Sequence, residues 1–280
     1  MTATDSPSCS EPPPAQSGPL VELRHVTAAF ENQVVLQDVN LAIRSGESVA
    51  IIGESGCGKS VLLKLLVGLL TPVEGEVLWE GQPLHRMRRH ELVRLRLKVG
   101  FVFQQSALFD SLTVLDNIAL GLRVHRLCAS EEEILLRVRQ RLHDVGLSEQ
   151  VLSKRPAELS GGMRKRVAIA RALVLDPQVM LYDEPTTGLD PIMTDVINRL
   201  IAQTHERRRL TTLLVTHEMR TVFSCAQRVI LLYPRSRLPP EQSQILYDGS
   251  PDGLRQAADV RVQQFIEGQA DPQLLKEASE

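Results

Sequence analysis

Gly53-Glu54-Ser55-Gly56-Cys57-Gly58-Lys59-Ser60 is the stretch that decides the fold. Its glycines, lysine and serine have the spacing of a phosphate-binding loop. The apolar run 48–52 before it predicts a strand and the run 60–66 after it predicts a helix, which is the context that the motif requires. Glycines let backbone N–H groups turn toward phosphate oxygens, and the helix N-terminus adds partial positive charge. The stretch therefore predicts a strand–loop–helix unit that binds a nucleoside triphosphate.

The residues of this loop are the first candidate site residues. Lys59 is expected to reach the β- and γ-phosphates, and the Ser60 hydroxyl is expected to ligate Mg²⁺. We interpret Cys57 as a small tolerated residue rather than as a reactive thiol. The candidate ATP contacts in and beside the loop are Gly53, Glu54, Ser55, Gly56, Cys57, Gly58, Lys59, Ser60 and Val61.

Length and composition indicate one large domain, or one domain with an inserted lobe. The 280 residues are 43% hydrophobic and carry a net charge of −2, so no global positive field favours nucleic acid. The four cysteines form no CxxC pair, which argues against zinc and against a disulfide framework. We identify no signal peptide and no apolar stretch long enough to span a bilayer. These features predict a soluble cytosolic protein whose membrane-spanning partner, if it drives transport, is another chain.

Alternating strand and helix patterns predict a mostly parallel sheet wrapped by helices. The residue pattern predicts helix from 115 to about 147. Four apolar residues there lie on one face at spacings of four, four and three residues: Ile134, Val138, Leu142 and Val145. Strands are predicted at 20–26, 34–43, 48–52, 75–80, 99–103, 179–182, 212–215, 228–233 and 245–248, with a helix at 191–207. The predicted organisation is a disordered lead-in at 1–19, an ATP-binding domain at 20–250 with a helical lobe at about 105–175, and a helical extension at 251–280.

Two adjacent carboxylates follow the predicted strand 179–182. Asp183 is expected to hold the Mg²⁺ shell, and Glu184 to orient and deprotonate the attacking water. An isolated Asp-Glu pair after a strand is usually a solvated turn, but the phosphate loop in the same chain favours the functional interpretation. The sequence therefore predicts an enzyme that hydrolyses a nucleoside triphosphate with Mg²⁺, and the resemblance described next implies that the nucleotide is ATP.

Leu159-Ser160-Gly161-Gly162-Met163 resembles the signature of ABC-type ATPases. Segment 21–233 resembles the nucleotide-binding subunit of an ABC transporter and has the family's motifs in order. The resemblance implies an α/β phosphate-loop NTPase with a mostly parallel core sheet, an antiparallel β edge and an inserted helical lobe. It also implies a homodimer in which Ser160, Gly161, Gly162 and Met163 complete the active site of the opposite subunit, and an integral membrane permease as partner.

The same resemblance assigns four further positions. Gln104 matches the Q-loop glutamine, which approaches Mg²⁺ near the permease contact, and Gln105 is the weaker candidate. His217 matches the switch histidine that contacts the γ-phosphate, and Asp190 ends the D-loop that couples the two sites of the dimer. Phe30 either stacks on adenine or is a core residue.

A finer resemblance is to Mla-type ATPases. It rests on the sequence of the Q-loop region, 103–114, and on residues typical of these ATPases at Val61, Met163, Arg164–Ala168 and Tyr182. It implies phospholipid transport between the inner and outer membranes, a subunit at the cytoplasmic face of the inner membrane, an MCE-domain partner and a small STAS-type accessory subunit. The alternative is an importer of amino acids or another small solute.

Two other classes of protein fit less well. ABC proteins that act on ribosomes or DNA carry tandem cassettes or a long coiled-coil insertion, and neither is found in this sequence. A degenerate cassette that only binds nucleotide would have no need of intact Lys59, Asp183, Glu184 and His217.

Two segments have two interpretations each, and a third has an expected role in assembly. The basic stretch 85–98 either meets anionic lipid headgroups or is a solvated helix. Segment 251–280 either embraces a neighbouring subunit or frays, with Val260, Phe265 and Ile266 as candidate packing residues. In the Q-loop, the side chains expected to line the groove for a permease helix are Leu108, Phe109 and Leu112.

Overall fold

The computed structural model describes residues 18–31, 33–239 and 241–269. The predicted lead-in therefore lies outside the described residues except for 18 and 19, as does the end of the predicted extension. The strands are β1 Val21–Phe30, β2 Gln33–Ile43, β3 Ser48–Gly53, β4 Glu74–Trp79, β5 Gln82–Pro83, β6 Val99–Val102, β7 Val179–Asp183, β8 Thr211–Val215, β9 Arg228–Leu232 and β10 Ile245–Gly249. The helices are α1 Lys59–Leu66, α2 Arg89–Leu97, α3 Val114–Val124, α4 Glu131–Asp144, α5 Gly161–Leu173, α6 Pro191–Arg208, α7 Met219–Cys225, α8 Pro251–Leu254 and α9 Val260–Glu267.

The core is a six-stranded sheet in the order β10-β9-β3-β8-β7-β6. Every neighbouring pair from β9 to β6 is parallel, and only β10 runs antiparallel, at one edge. All six residues of β3 are buried, because helices cover both faces of a parallel sheet and its central strands contact no water. The predicted, mostly parallel core sheet is confirmed, including the edge strand at 245–249.

A second, antiparallel sheet has the order β2-β1-β4-β5 and forms the predicted β edge. Strand β1 is longer than the sequence predicted and reaches Phe30. Its pairing with β2 shifts register between Leu23 and Ala29, which marks bulges that twist the strand. These bulges explain the underestimate, because they interrupt the alternation by which a strand is recognised in the sequence.

The helical lobe contains α3, α4 and α5, which pack on one another beside β6 and β7. Thr113, Ser130 and Ser160 cap the three helices, each side chain accepting a hydrogen bond from a backbone N–H in the first turn. The predicted helical face is buried, with exposed fractions of 0–6% at Ile134, Val138, Leu142 and Val145. The inserted lobe is therefore confirmed, while the limits 105–175 remain a prediction.

The two C-terminal helices pack on their own chain. Val262 of α9 is fully buried in a cluster that includes Ile52 of β3 and Val229 of β9, with Phe265 and Ile266 partly buried against it. Val260 is 62% exposed and lies outside this cluster, so its predicted packing against a neighbouring subunit stays a prediction. Val262 and Val260 are two positions apart and point to different sides of α9.

The basic stretch 85–98 forms α2 and the turn before it, and Leu95 is the one residue of α2 that is buried. Arg96 donates hydrogen bonds to Val67 O and Gly68 O beyond the end of α1, so one arginine of the stretch has a structural role. Within the described ranges, none of the helices has both the length and the apolar character that a membrane crossing requires.

Candidate nucleotide site

The order of the core sheet collects the predicted motifs at one edge. The phosphate loop follows β3, Glu184 follows β7 and His217 follows β8, and these three strands are consecutive and parallel in the order β3-β8-β7. Gln104 follows β6, the next strand outward. Carboxyl ends of parallel strands meet at the same edge of a sheet, so segments far apart in sequence become neighbours.

Two glycines of the phosphate loop have no room for a side chain. A Cβ on Gly53, at φ +148°, would lie 2.2 Å from Leu232 O and 2.7 Å from Cys57 Sγ. A Cβ on Gly58, at φ +103°, would lie 2.6 Å from Leu36 Cδ2. Both glycines also have backbone angles that side-chain-bearing residues rarely adopt. The loop is therefore held in shape by β9 on one side and by β2 on the other.

The Lys59 side chain folds back over the loop and is only 8% exposed. Its ammonium donates hydrogen bonds of 2.8 Å to Gly53 O and to Glu54 O. Cys57 lies beneath the ammonium and is fully buried, and burial raises the pKa of its thiol. A neutral buried thiol is unreactive, which supports the interpretation of Cys57 as a packing residue.

Ser60 and Asp183 are joined by a hydrogen bond of 2.9 Å from Ser60 Oγ to Asp183 Oδ1. Burial raises the pKa of Asp183, and the Ser60 bond opposes that shift in part. A hydroxyl and a carboxylate are hard oxygen donors, which fit Mg²⁺. Among the described residues no group of three or more His, Cys, Asp and Glu is gathered as a metal site. A magnesium ion here would therefore need phosphate and water oxygens to complete its octahedron.

The Glu184 carboxylate contacts His217 directly. His217 Nδ1 lies 2.7 Å from Glu184 Oε2, and the Thr187 hydroxyl donates to the same oxygen at 3.0 Å. The Glu184 side chain is 12% exposed, whereas that of His217 is 57% exposed. Glu184 has φ +51°, an uncommon conformation for a residue with a side chain, and its N–H donates to Val215 O at 2.9 Å. The backbone is thus turned so that this carboxylate meets His217.

A lysine that the sequence reasoning missed connects Gln104 to this centre. Lys165 of α5 is 6% exposed, and its ammonium donates to Gln104 O and, at 3.4 Å, to Glu184 O. Burial lowers the pKa of Lys165, while Glu184 and Asp183 oppose the shift because their carboxylates are nearby. Gln104 is exposed, as is Gln105, so the structure does not choose between them as the Q-loop glutamine.

Two further residues hold the Q-loop. Asn117 is fully buried; its Oδ1 accepts from Phe109 N at 2.8 Å, and its Nδ2 lies within hydrogen-bond distance of Phe109 O, Leu112 O and Thr113 O. Arg171 donates to the carbonyl oxygens of Ser106 and Ala107, which both have positive φ. Sequence reasoning missed both residues, because neither belongs to a motif.

A groove of about 460 Å³ opens beside the Q-loop. Phe101 and Phe103 stack there with ring centroids 4.2 Å apart, and Phe109, 51% exposed, lies along the same groove. Leu108 is half-buried, packs against the core of the helical lobe and lies outside the lining of this groove, so its predicted contact with a permease helix stays a prediction. Leu112 is half-buried and also lies outside the groove lining. Only one of the three predicted side chains therefore lines the groove.

The signature and the D-loop are held by contacts within their own helices. Ser160 is exposed at the N-terminus of α5, where its hydroxyl accepts from Met163 N at 3.3 Å. Asp190 caps α6 by accepting from Ile192 N and Met193 N. No hydrogen bond within the described residues joins segment 159–163 to the phosphate loop of the same chain.

Phe30 ends β1 with its side chain 44% exposed. That exposure removes the alternative in which Phe30 is a core residue. Its stacking on adenine remains a prediction.

Comparison with known proteins agrees with this architecture. The family model described as "ABC transporter" matches residues 36–187. The intermembrane phospholipid transport system ATP-binding protein MlaF of Haemophilus influenzae is 37% identical over 254 residues, 90% of this chain and 92% of that one. The sulfate/thiosulfate import ATP-binding protein CysA of Pseudomonas aeruginosa is 40% identical over 214 residues, 76% of this chain and 63% of that one. A dimeric post-hydrolysis structure of the ATP-binding cassette MJ0796 with ADP and Pi superposes with a TM-score of 0.71, 35% identity and coverage of 79% and 99%.

The phosphate-loop fold, the inserted helical lobe with its signature segment at 159–163, and these similarities together identify an ATP-binding cassette. The chain belongs to the ABC transporter family and is an ATPase.

Asp183→Asn should stabilise the nucleotide-free protein. The desolvated carboxylate is replaced by a neutral amide whose oxygen can still accept from Ser60, and we expect the melting temperature to rise on the order of 2–4 °C at pH 7. Because folding raises the pKa of Asp183, the stability that this group contributes falls as pH rises through that pKa. The advantage of the variant should thus be largest at neutral pH and shrink on acidification.

Thermal unfolding from pH 7 down to pH 4, without nucleotide, measures this difference. Asp195→Asn is the matched control, since Asp195 is 56% exposed in a surface pair with Arg199 and should change little. An Asp183→Asn protein that melts below the parent at pH 7 would contradict the account of the buried charge.

Proposed function

We propose that this chain is the ATP-hydrolysing subunit of a transporter that moves phospholipid between the inner and outer membranes. The observation that carries the ATPase part is the convergence of Lys59, Ser60, Asp183, Glu184 and His217 at one edge of the sheet. The phospholipid part is supported by the likeness to MlaF, which extends over 90% of this chain.

Each residue of the site has a defined task in this proposal. Backbone N–H groups of the phosphate loop and the Lys59 ammonium bind the β- and γ-phosphates, with Lys59 exchanging its carbonyl partners for phosphate oxygens. Ser60, Asp183 and Gln104 would hold Mg²⁺, which neutralises phosphate charge when bound. Glu184 accepts a proton from the attacking water, and His217, 2.7 Å away, keeps that carboxylate in place and reaches toward the γ-phosphate.

Glu184→Gln should reduce ATP hydrolysis by about 10²–10⁴-fold, because it keeps the shape of the side chain and removes the base. ATP binding should remain. Steady-state ATPase assays and nucleotide binding on the assembled complex measure both quantities.

Glu218→Gln is the control for that experiment. Glu218 follows His217 in sequence, but its carboxylate accepts hydrogen bonds from Thr186 and Thr221. The control should hydrolyse ATP at close to the parent rate. Parent-level hydrolysis by Glu184→Gln would show that the base lies elsewhere.

The active unit is a homodimer in this proposal. Ser160 and Gly162 begin α5, whose N-terminal dipole favours an anion, and within one chain they make no hydrogen bond to the described phosphate loop. Two copies arranged head to tail would place each signature against the ATP of the other copy. The similar cassette MJ0796 is dimeric in its structure with ADP and Pi.

A crosslink made by a bifunctional thiol reagent between Ser60→Cys and Ser160→Cys should form between copies. The experiment needs a background in which the native cysteines are replaced, and it uses the complex with its permease. Mixing one copy that carries Ser60→Cys with a tagged copy that carries Ser160→Cys distinguishes crosslinks between copies from crosslinks within one copy. A product formed only within a single chain would rule out the head-to-tail arrangement.

The groove beside the Q-loop would receive a short cytoplasmic helix of the permease. Its aromatic lining supplies the apolar contact, and Asn117 fixes the backbone on both sides of Phe109 so that a push there is transmitted. Such a subunit would lie at the cytoplasmic face of the inner membrane, bound through the permease. Further partners would be an MCE-domain protein and a small STAS-type subunit.

The competing candidate is the ATPase of a small-solute importer. It is favoured by one observation, the 40% identity to CysA over 76% of this chain. The nucleotide site would be the same in both cases, because cargo is bound by other chains.

Deletion of the gene should weaken the outer-membrane barrier to detergent, and Phe109→Asp should fail to restore it while ATPase activity is kept. The charged side chain would be desolvated in an apolar contact and would weaken docking. Detergent sensitivity of the complemented strain and ATPase activity of the purified protein are the two measurements.

Val124→Asp is the matched control, at another groove residue, 65% exposed and farther along the chain from the Q-loop. It should restore the barrier better than Phe109→Asp does. A deletion strain with an intact barrier that fails to take up one solute would support the importer instead.

A further inference from the structure

The connection between β9 and β10 reaches back to the phosphate loop. We call its described residues, 233–239 and 241–244, the β9–β10 connection. Its two ends are tied together by a hydrogen bond from Tyr233 N to Gln244 O at 2.9 Å. Between those ends a short 3₁₀ turn at Arg235–Arg237 lies beside Glu54. The connection therefore touches a residue of the phosphate loop whose side-chain carboxylate has no task in the proposed nucleotide binding.

Arg237 forms a two-pronged ion pair with Glu54. The distances are 2.9 Å from NH1 to Oε1 and 2.8 Å from NH2 to Oε2, and the side chains are 16% and 29% exposed. The Tyr233 ring lies 5.9 Å from the guanidinium carbon. Parallel donation to both carboxylate oxygens is the strongest geometry that an arginine can offer a carboxylate.

The charge of Glu54 is unfavourable where it stands. A loop that receives a polyphosphate carries a carboxylate at its second position, and an unpaired anion there would repel the incoming phosphates. Lys59 cannot balance both charges, since its ammonium is required by the phosphates and now contacts Glu54 through the backbone oxygen. The Arg237 guanidinium supplies the missing positive charge.

Gln244 anchors the connection from its other end. It is 1% exposed; its Nε2 donates to Cys57 O and Val35 O at 3.1 and 2.9 Å, and its Oε1 accepts from Gln37 N at 3.1 Å. The connection is thus fastened both to the phosphate loop and to β2. Anchoring at this end limits the positions that Arg237 can take.

We propose that Arg237 is a positioning residue that neutralises Glu54 and so sets the affinity of the phosphate loop for ATP. The inference rests on the proposed binding of ATP phosphates by residues 53–60. It predicts that the affinity depends on the charge of Glu54 and not only on the shape of the loop.

Arg237→Ala should weaken binding of the non-hydrolysable analogue AMP-PNP by about 3- to 30-fold at low ionic strength, since it leaves an unpaired carboxylate on the loop that binds the phosphates. High salt should reduce the loss, because added ions screen the repulsion. Adding Glu54→Gln should restore most of the affinity, because the double variant has no unpaired charge. Arg237→Lys should retain most of the parent affinity for AMP-PNP, because it keeps the positive charge and loses only the two-pronged hydrogen bonding to Glu54.

Calorimetric titration of the full-length chain with AMP-PNP and Mg²⁺, at low and high salt, measures these affinities, and a thermal melt of each variant confirms folding. Arg235→Ala is the matched control: that side chain donates to Gln37 and to Leu238 O, so any loss should be independent of salt and unrelieved by Glu54→Gln.

A folded Arg237→Ala protein with parent affinity would overturn the proposal. So would a loss that Glu54→Gln does not relieve, since it would mean that Arg237 only maintains the shape of the loop. In both cases the parent would still bind AMP-PNP, and the assignment of residues 53–60 would stand. A parent chain that bound no AMP-PNP would refute both the assignment and the proposal.

Discussion

The parallel order β9-β3-β8-β7-β6 is the constraint on which the rest of the structure depends. Because these strands run in one direction, the segments that follow them emerge at one edge, and the Ser60–Asp183 hydrogen bond spans 123 residues of sequence there. Successive side chains of a strand point to opposite faces, so a slip of one residue in β7 would turn Asp183 away from Ser60. The full burial of β3 and β7 maintains that register, since a slip would exchange side chains between two closely packed faces and leave cavities and clashes.

The site concentrates groups that are costly to bury. Lys59, Lys165 and Asp183 are each less than 9% exposed, and Glu184 has an uncommon backbone conformation. The free-energy cost of burying such groups is tolerated where the surrounding apolar core is large enough to offset it. When nucleotide binds, these groups can exchange their protein partners for phosphate oxygens. Lys165 also gives α5 two contacts to this centre, through Gln104 O and Glu184 O. The helix that begins with the signature is therefore tied to the backbone of Gln104 and Glu184 in its own subunit, which provides a physical route between the helical lobe and the site.

The residues that bind the nucleotide do not indicate which cargo is transported. An ATP-binding protein of a phospholipid transport system and one for sulfate/thiosulfate import have similar identities to the chain, 37% and 40%, so identity by itself does not indicate the cargo. Features that can respond to a particular partner lie away from the phosphates, in the aromatic groove beside the Q-loop and on the surfaces of the helical lobe. The β9–β10 connection differs from both, because it contacts the phosphate loop itself through Arg237 and Glu54.

The sequence by itself determined the strand–loop–helix unit at 48–66, the carboxylates after β7, the helical face of α4 and the mostly parallel sheet, because each is encoded by local spacing and hydrophobic period. It did not show that Leu108 packs toward the helical lobe or that Val260 faces away from its own chain, since a partly polar segment leaves the direction of individual side chains open. It did not indicate Asn117, Lys165 or Arg237. Lys165 and Arg237 contact residues 61 and 183 positions away, and Asn117 bonds to backbone atoms that no side-chain pattern reveals. Only the tertiary structure decided these contacts, because the packing of the sheet and lobe determines which distant backbone oxygens and carboxylates a buried side chain can reach.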